Sequence, residues 1–351
     1  MKKFASFVLL SLLASSASLS SQEILILGIG GDLHSVDPNS GDATFIGLTG
    51  LQMYFWPSMA IDSQGRLFAA YGRDDVGYGI YEINPNTGHA TFVVQTNLGG
   101  PASMAFGPGD VLYVGNDRTA PTIPHKFDLY TLDLSTGVDT FIGAIGATNV
   151  LAMNYSQGTL WGYAGIKGLI QIDPATGAST DVNPNFTGPQ NATVSFCFDE
   201  EGAIYYIDGV LWMLDSETGV ASAVNYASPF GFWGEAVFID GPTPHFSLWL
   251  SGVTDGSMSI KLAGATPFGQ IAVAFAQGTG GPTAIPAGHL CAGTALDLNA
   301  GMRIQSIVTA DSEGKAAIGP QFVPAAALGL VRLQAIDLTT CETSNRVIVS
   351  Y

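Results

Sequence analysis

The chain has 351 residues, 47% of them hydrophobic, with 44 glycines and only 12% charged side chains. That is enough for about two domains and too apolar for a disordered protein. Setting aside Lys2 and Lys3, 10 basic residues face 29 acidic ones, a net charge of −19, and such a field argues against nucleic acid or anionic membrane surfaces as partners.

Residues 1–21 read as a signal peptide. Lys2 and Lys3 are followed by a short apolar run, Phe7 to Ala14, and then by small residues from Ser15 to Ser18. The run is too short to span a bilayer. The expected mature protein is exported and not inserted in a membrane, with the periplasm, the cell surface and the extracellular space as its compartments.

Five copies of one phrase follow: LHSVDPNSGDATFIG from Leu33, IYEINPNTGHATFVV from Ile80, LYTLDLSTGVDTFIG from Leu129, LIQIDPATGASTDVN from Leu169 and LWMLDSETGVASAVN from Leu211. Each is an alternating strand, an Asp or Asn that can bond a turn backbone, a Gly for positive φ, and a second strand. A second phrase alternates with the first, beginning at Ser58, Ser103, Ala152 and Ser195. Two hairpins in succession form a four-stranded antiparallel sheet, the blade of a β-propeller.

Strand counting gives five blades over residues 22–240. The N-terminal segment supplies Ile24 to Ile29 and one hairpin but no innermost strand, while Ala236 to Asp240 is an innermost strand with no hairpin after it. The two ends therefore complete one blade between them, which removes exposed sheet edges. A sixth blade would need a degenerate innermost strand. Ser58, Ser103, Ala152, Ser195 and Ala236, at the tops of the inner strands, are all small, as a tight axis requires.

Residues 241–244 (GPTP) form a linker. From 245 to 351, alternating runs such as Ser259 to Leu262, Ile271 to Ala276 and Val331 to Ile336 suggest a compact β-sandwich of about seven strands. Cys291 and Cys341 are expected to form a disulfide in an oxidising compartment, and Cys197, between Phe196 and Phe198, to be buried filler.

The propeller phrase resembles the LYxIDPxTGxxTxIG repeats of secreted bacterial propeller proteins with no assigned chemistry. The last hundred residues, in LAGATPFGQIAVAFAQGTG, HLCAGTALDL and LQAIDLTTCETSNRVIVSY, are similar to a C-terminal sandwich module of secreted bacterial proteins. That resemblance implies a paired Cys291 and Cys341, and a role in attachment, stability or presentation.

Three functional readings follow. The first is an exported, non-enzymatic, monomeric binding or scaffold protein. In it, Tyr54, Phe55, Trp56, Phe230, Phe232 and Trp233, in loops before two neighbouring inner strands, form an aromatic rim for a glycan or an extracellular protein. The second is a hydrolase, glycosidase or lactonase-like. Glycosidase chemistry needs two carboxylates flanking the scissile bond; of the channel-entrance positions Pro57, Ala102, Leu151, Val194 and Glu235 only Glu235 is acidic, with Asp74, Asp75 and Asp117 in loops. The third is a purely structural surface component. Asp37, Asn39 and Asp42 mimic a calcium loop, but the sister repeats replace Asp42 by His89, Val138, Ala178 and Val220, so turn geometry explains what is shared. No cofactor is expected. His34, His89, His125, His245 and His289 are scattered without ligand spacing.

Overall fold

The computed structural model describes residues 23–349 apart from 29, 39–40, 52–57, 74–76, 100, 118–124, 166, 183–194, 200–201, 208–209, 226–233, 240–245, 255–256, 279–280, 323–326 and 328. The described chain is nearly all β, with a short 3-10 turn at Pro108–Asp110.

The first twenty strands follow one another in fours, offset by the ends. β1 (Glu23–Gly28), β2 (Asp32–Val36) and β3 (Ala43–Leu48) come first. β4 (Ser58–Ile61), β5 (Leu67–Arg73), β6 (Gly77–Ile83) and β7 (Ala90–Gln95) form one antiparallel sheet, and β8 (Pro101–Gly107), β9 (Val111–Asp117), β10 (Lys126–Leu132) and β11 (Asp139–Thr148) the next. β12 (Val150–Ser156), β13 (Thr159–Ala164), β14 (Gly168–Ile172) and β15 (Ser179–Asp181) form a third. β16 (Ser195–Phe198), β17 (Ile204–Ile207), β18 (Leu211–Leu214) and β19 (Ala221–Asn225) begin a larger one. β20 (Gly234–Ile239) returns to the start of the chain and pairs with β1 from Glu23↔Ile239 to Gly28↔Gly234, giving the order β20-β1-β2-β3.

The first strands of these sheets contact one another in cyclic order: β20 with β4, β4 with β8, β8 with β12, β12 with β16, and β16 with β20. The cores follow the same order, because each apolar cluster lies between two neighbouring sheets. Leu25 and Leu27 of β1 pack with Met59, Leu67 and Ala69 on one side, while Ile24 and Ile26 pack with Tyr205, Ile207 and Met213 on the other. Alternation sends successive side chains to opposite faces. Both faces are covered, so ILIL is apolar at every position instead of every second one.

The repeated turns carry a second contact. Gly41, Gly88, Gly137, Gly177 and Gly219 all have φ between 67° and 75°, as the turn demands. Gly88 also lies against the preceding sheet: a Cβ there would sit 2.8 Å from the Gly47 carbonyl carbon, and Gly177 stands in the same relation to Gly143. Bonds between sheets accompany these approaches, from the Ala90 amide to the Thr49 carbonyl (3.2 Å) and from Ser179 Oγ to the Ile145 carbonyl (2.5 Å).

The C-terminal part contains β21 (Ser247–Thr254), β22 (Ser257–Ala263), β23 (Gln270–Gln277), the two-residue strands β24 (Thr283–Ala284) and β25 (Ala295–Leu296), β26 (Arg303–Thr309), β27 (Ala316–Phe322), β28 (Val331–Asp337) and β29 (Val347–Ile348). β21, β22 and β27 form one sheet, and β29-β28-β23-β26 form part of another. The two share a core that includes Leu248, Leu250, Ile260, Val273, Leu333 and Val347. The second sheet is continuous with the array. Ala223 of β19 pairs with Ile348 of β29, so the order runs β16-β17-β18-β19-β29-β28-β23-β26. The buried Asn345 reinforces the junction, accepting from the Leu248 amide, donating to the Leu248 carbonyl and reaching Met213 Sδ at 2.9 Å. Cys291 and Cys341 are disulfide-bonded, and Cys197 is buried between two sheets.

The turn glycines provide a test. Gly65 shares the positive φ of Gly88 and Gly177 (76°), but a Cβ added there would meet nothing within 4 Å, so Gly65→Ala isolates the backbone cost of roughly 1–2 kcal/mol. Gly88→Ala and Gly177→Ala should each cost about 1–3 kcal/mol more, because the neighbouring strand must shift. Urea unfolding of the three variants checks this, and equal losses at all three positions would contradict the intersheet contact.

Candidate functional site

The face of the array on which inner strands begin is built from small residues. Ser58, Ser103 and Ala152 are 0% exposed and Ser195 and Ala236 are 1% exposed, and Ala152 and Ala236 belong to apolar clusters between neighbouring sheets. Ser103 Oγ donates to the Val150 carbonyl of the next inner strand at 3.2 Å. Gly115, opposite Ser103 on β9, has no room for a side chain beside that hydroxyl. Of the channel-entrance positions, Ala102 and Leu151 are buried and apolar. Pro57 and Val194 lie outside the described residues, as does the side chain of Glu235, whose backbone pairs with Leu27.

On the same face, β9 ends and β10 begins with a polar group. Asp117 is 7% exposed, and its Oδ2 is 2.5 Å from His125 Nδ1, across the base of segment 118–124. Asp128 is also buried and sits opposite Asn116 in the ladder. A buried carboxylate bonded to one ring nitrogen fixes the orientation of the imidazole. The arrangement can tie the two strand ends together, and it has the geometry of an orienting carboxylate with a base. A second pair, Asp32 Oδ2 with His34 Nε2 at 2.8 Å, stands at the start of β2, with the His34 ring edge-on to Phe45.

Sequence reasoning missed both pairs by treating the histidines as scattered. For Asp32 and His34 a signal was present, since residues two apart on a strand share a face. For Asp117 and His125 no local pattern exists, because the partners meet only through the pairing of β9 with β10.

The aromatic residues expected to form a rim, Tyr54, Phe55, Trp56, Phe230, Phe232 and Trp233, lie outside the described residues, as do Asp74, Asp75 and Asn39. At Asp37 the backbone closes the turn: its amide donates to the Asp42 carbonyl (3.0 Å), and the Gly41 amide donates to the Asp37 carbonyl (2.8 Å). Sister turns use the side chain as well. Asp133 Oδ1 accepts from the Ser135 amide and hydroxyl, and Asp173 accepts from the Ala175 amide and Thr176 Oγ1. Among the described residues no group of three His, Cys, Asp or Glu side chains is arranged to hold a metal ion. Among them, too, no helix is long and apolar enough to cross a membrane.

No family model matches the chain, and no curated protein matches it. Solved structures do. TolB from Acinetobacter baumannii is similar over 70% of this chain and 61% of its own, at 13% identity and a TM-score of 0.39. A structural genomics protein of unknown function from Bacteroides thetaiotaomicron is similar over 70% and 68%, with the same identity and TM-score. PorZ, a surface component of the type-IX secretion system of Porphyromonas gingivalis, is similar over 93% of this chain and 51% of its own, at 13% identity and a TM-score of 0.34. The chain thus spans about three fifths of TolB and about half of PorZ.

The turn aspartates set an acid dependence. Hydrogen bonds from the Ser135 side chain and amide hold Asp133 below the usual carboxylate range, and those from the Ala175 amide and Thr176 hydroxyl do the same for Asp173. A carboxylate whose pKa is lowered by folding adds stability above its unfolded value, about 3.9, and loses it as pH falls through the folded value. The melting temperature should therefore drop below about pH 4, and an Asp133→Asn/Asp173→Asn variant should show a shallower drop. Identical pH profiles for the two proteins would contradict this assignment.

Proposed function

We propose that the chain is an exported, non-enzymatic binding or scaffold protein. In this reading residues 22–240 are a five-bladed β-propeller and residues 245–351 a C-terminal β-sandwich. The propeller presents Tyr54, Phe55, Trp56, Phe230, Phe232 and Trp233 to a glycan or an extracellular protein.

The observation that carries the reading is the contact between β4 and β20. Residues 52–57 immediately precede β4 and residues 226–233 immediately precede β20, so two aromatic-rich segments feed neighbouring inner strands. Aromatic side chains supply large apolar faces suited to sugar rings and to protein hot spots. The C-terminal part supports a scaffold role through its continuous sheet with β19, which holds it at the outer edge of the array.

A glycan and polysaccharide binding screen on the wild type and a Trp56→Ala/Trp233→Ala variant tests the proposal. The wild type should retain a ligand that the double variant binds at least tenfold more weakly, since hot-spot aromatics cost about 2 kcal/mol or more when truncated. Equal binding by the two proteins would remove the aromatic loops from the site.

A further inference from the structure

The C-terminal sheet carries a cavity of about 520 Å3, within the usual range for small-molecule sites. Its floor is the side of β23 turned away from the two-sheet core. Ile271 and Val273 enter that core, while the alternate residues Ala272 and Ala274 leave a shallow surface on the opposite side. The edge strand β26 adds Ile304 and Ile307. These two residues share a face despite being three apart, because Ile307 pairs with Ala272 and Ile304 with Ala274 across a register shift.

The wall opposite comes from segment 281–302, which contributes Ile285, Pro286, Leu290 and Leu296. Cys291 in this segment is bonded to Cys341, just beyond β28, so the wall is covalently fixed to the sheet that forms the floor. Leu290, Ile304 and Ile307 remain 66%, 61% and 52% exposed, and the mouth is therefore as apolar as the interior. Water against such a surface has few hydrogen-bonding partners and is displaced favourably by an apolar group.

Two properties of the lining define the ligand. It contains no Phe, Tyr or Trp, so it offers no ring platform for a sugar or a nucleobase. No Asp or Glu lines it, although the chain holds 29 acidic residues against 12 Lys and Arg, and the wall brings His289; Arg303, also at the lining, pairs with Phe275, which packs against the two-sheet core, so its side chain leaves β26 on the opposite face. The lining thus carries none of the chain's acidic excess. We propose that this cavity binds a fatty acid, with the aliphatic chain between the Ala272/Ala274 floor and the 281–302 wall and the carboxylate at the rim that carries His289.

The mature chain, with its disulfide intact, is titrated with saturated fatty acids from octanoate to tetradecanoate, below their aggregation concentrations. Decanol serves as the uncharged control for decanoate. Affinity should rise about fourfold per added methylene until the cavity is filled. Decanoate should bind more tightly than decanol, and His289→Ala should narrow that gap. Filling the floor with Ala272→Leu/Ala274→Leu should weaken binding at least tenfold. Where that variant melts below the wild type, the exposed Ile307→Ser decides instead, with an expected loss of about fivefold, close to the burial of one or two methylenes. The proposal is overturned by a wild type that binds no free fatty acid, by equal binding in wild type and the deciding variant, or by adsorption to phosphatidylglycerol vesicles without binding of the free acids.

Discussion

Burial of each sheet on both faces is the constraint on which the array depends. A sheet such as β20-β1-β2-β3 presents Ile24 and Ile26 to one neighbour and Leu25 and Leu27 to the other. Exposing either row to water would cost about 1.5–3 kcal/mol per large side chain. An open row of such sheets would leave one apolar face bare at each end, and cyclic contact leaves none. The pairing of β20 with β1 is thus what allows strands made of consecutive apolar residues to exist in an array surrounded by water.

The same constraint limits where recognition can occur. Inner strands that approach closely need small residues, and Ser103, Ala152 and Ala236 are buried where those strands meet. Groups with chemical character are displaced to strand ends, as at Asp117 and His125, or to the connecting segments. The C-terminal part obeys a different rule. Its β23 sheet is fully packed on the side of Val273, while the side of Ala272 and Ala274 is left shallow beneath a disulfide-anchored wall.

Much of this was legible in the sequence, for physical reasons. Asp or Asn followed by Gly reports a turn because the requirement is local, and Gly41, Gly88, Gly137, Gly177 and Gly219 all take the positive φ expected of them. The partnership of β1 with β20 could be counted from an unmatched inner strand at one end and three unmatched strands at the other. The features that escaped depend on residues far apart in the chain. Nothing local marks the approach of Gly88 to Gly47, the joining of Ala223 to Ile348, or the facing of Ile304 and Ile307 toward Ala274 and Ala272 across a register shift. The aromatics of the proposed rim were legible only as residue types, and Asp32 with His34 was legible as a same-face pair but was passed over.

The central claim is that the two ends of the array close it through β1 and β20. Amide hydrogen exchange on the purified protein tests it most directly, because protection reports the free energy of local opening. The account predicts that amides of β1 and β20 exchange as slowly as those of β9 and β10, which lie far from either end of the array. Rapid exchange confined to β1 and β20, with the intervening sheets still protected, would contradict it.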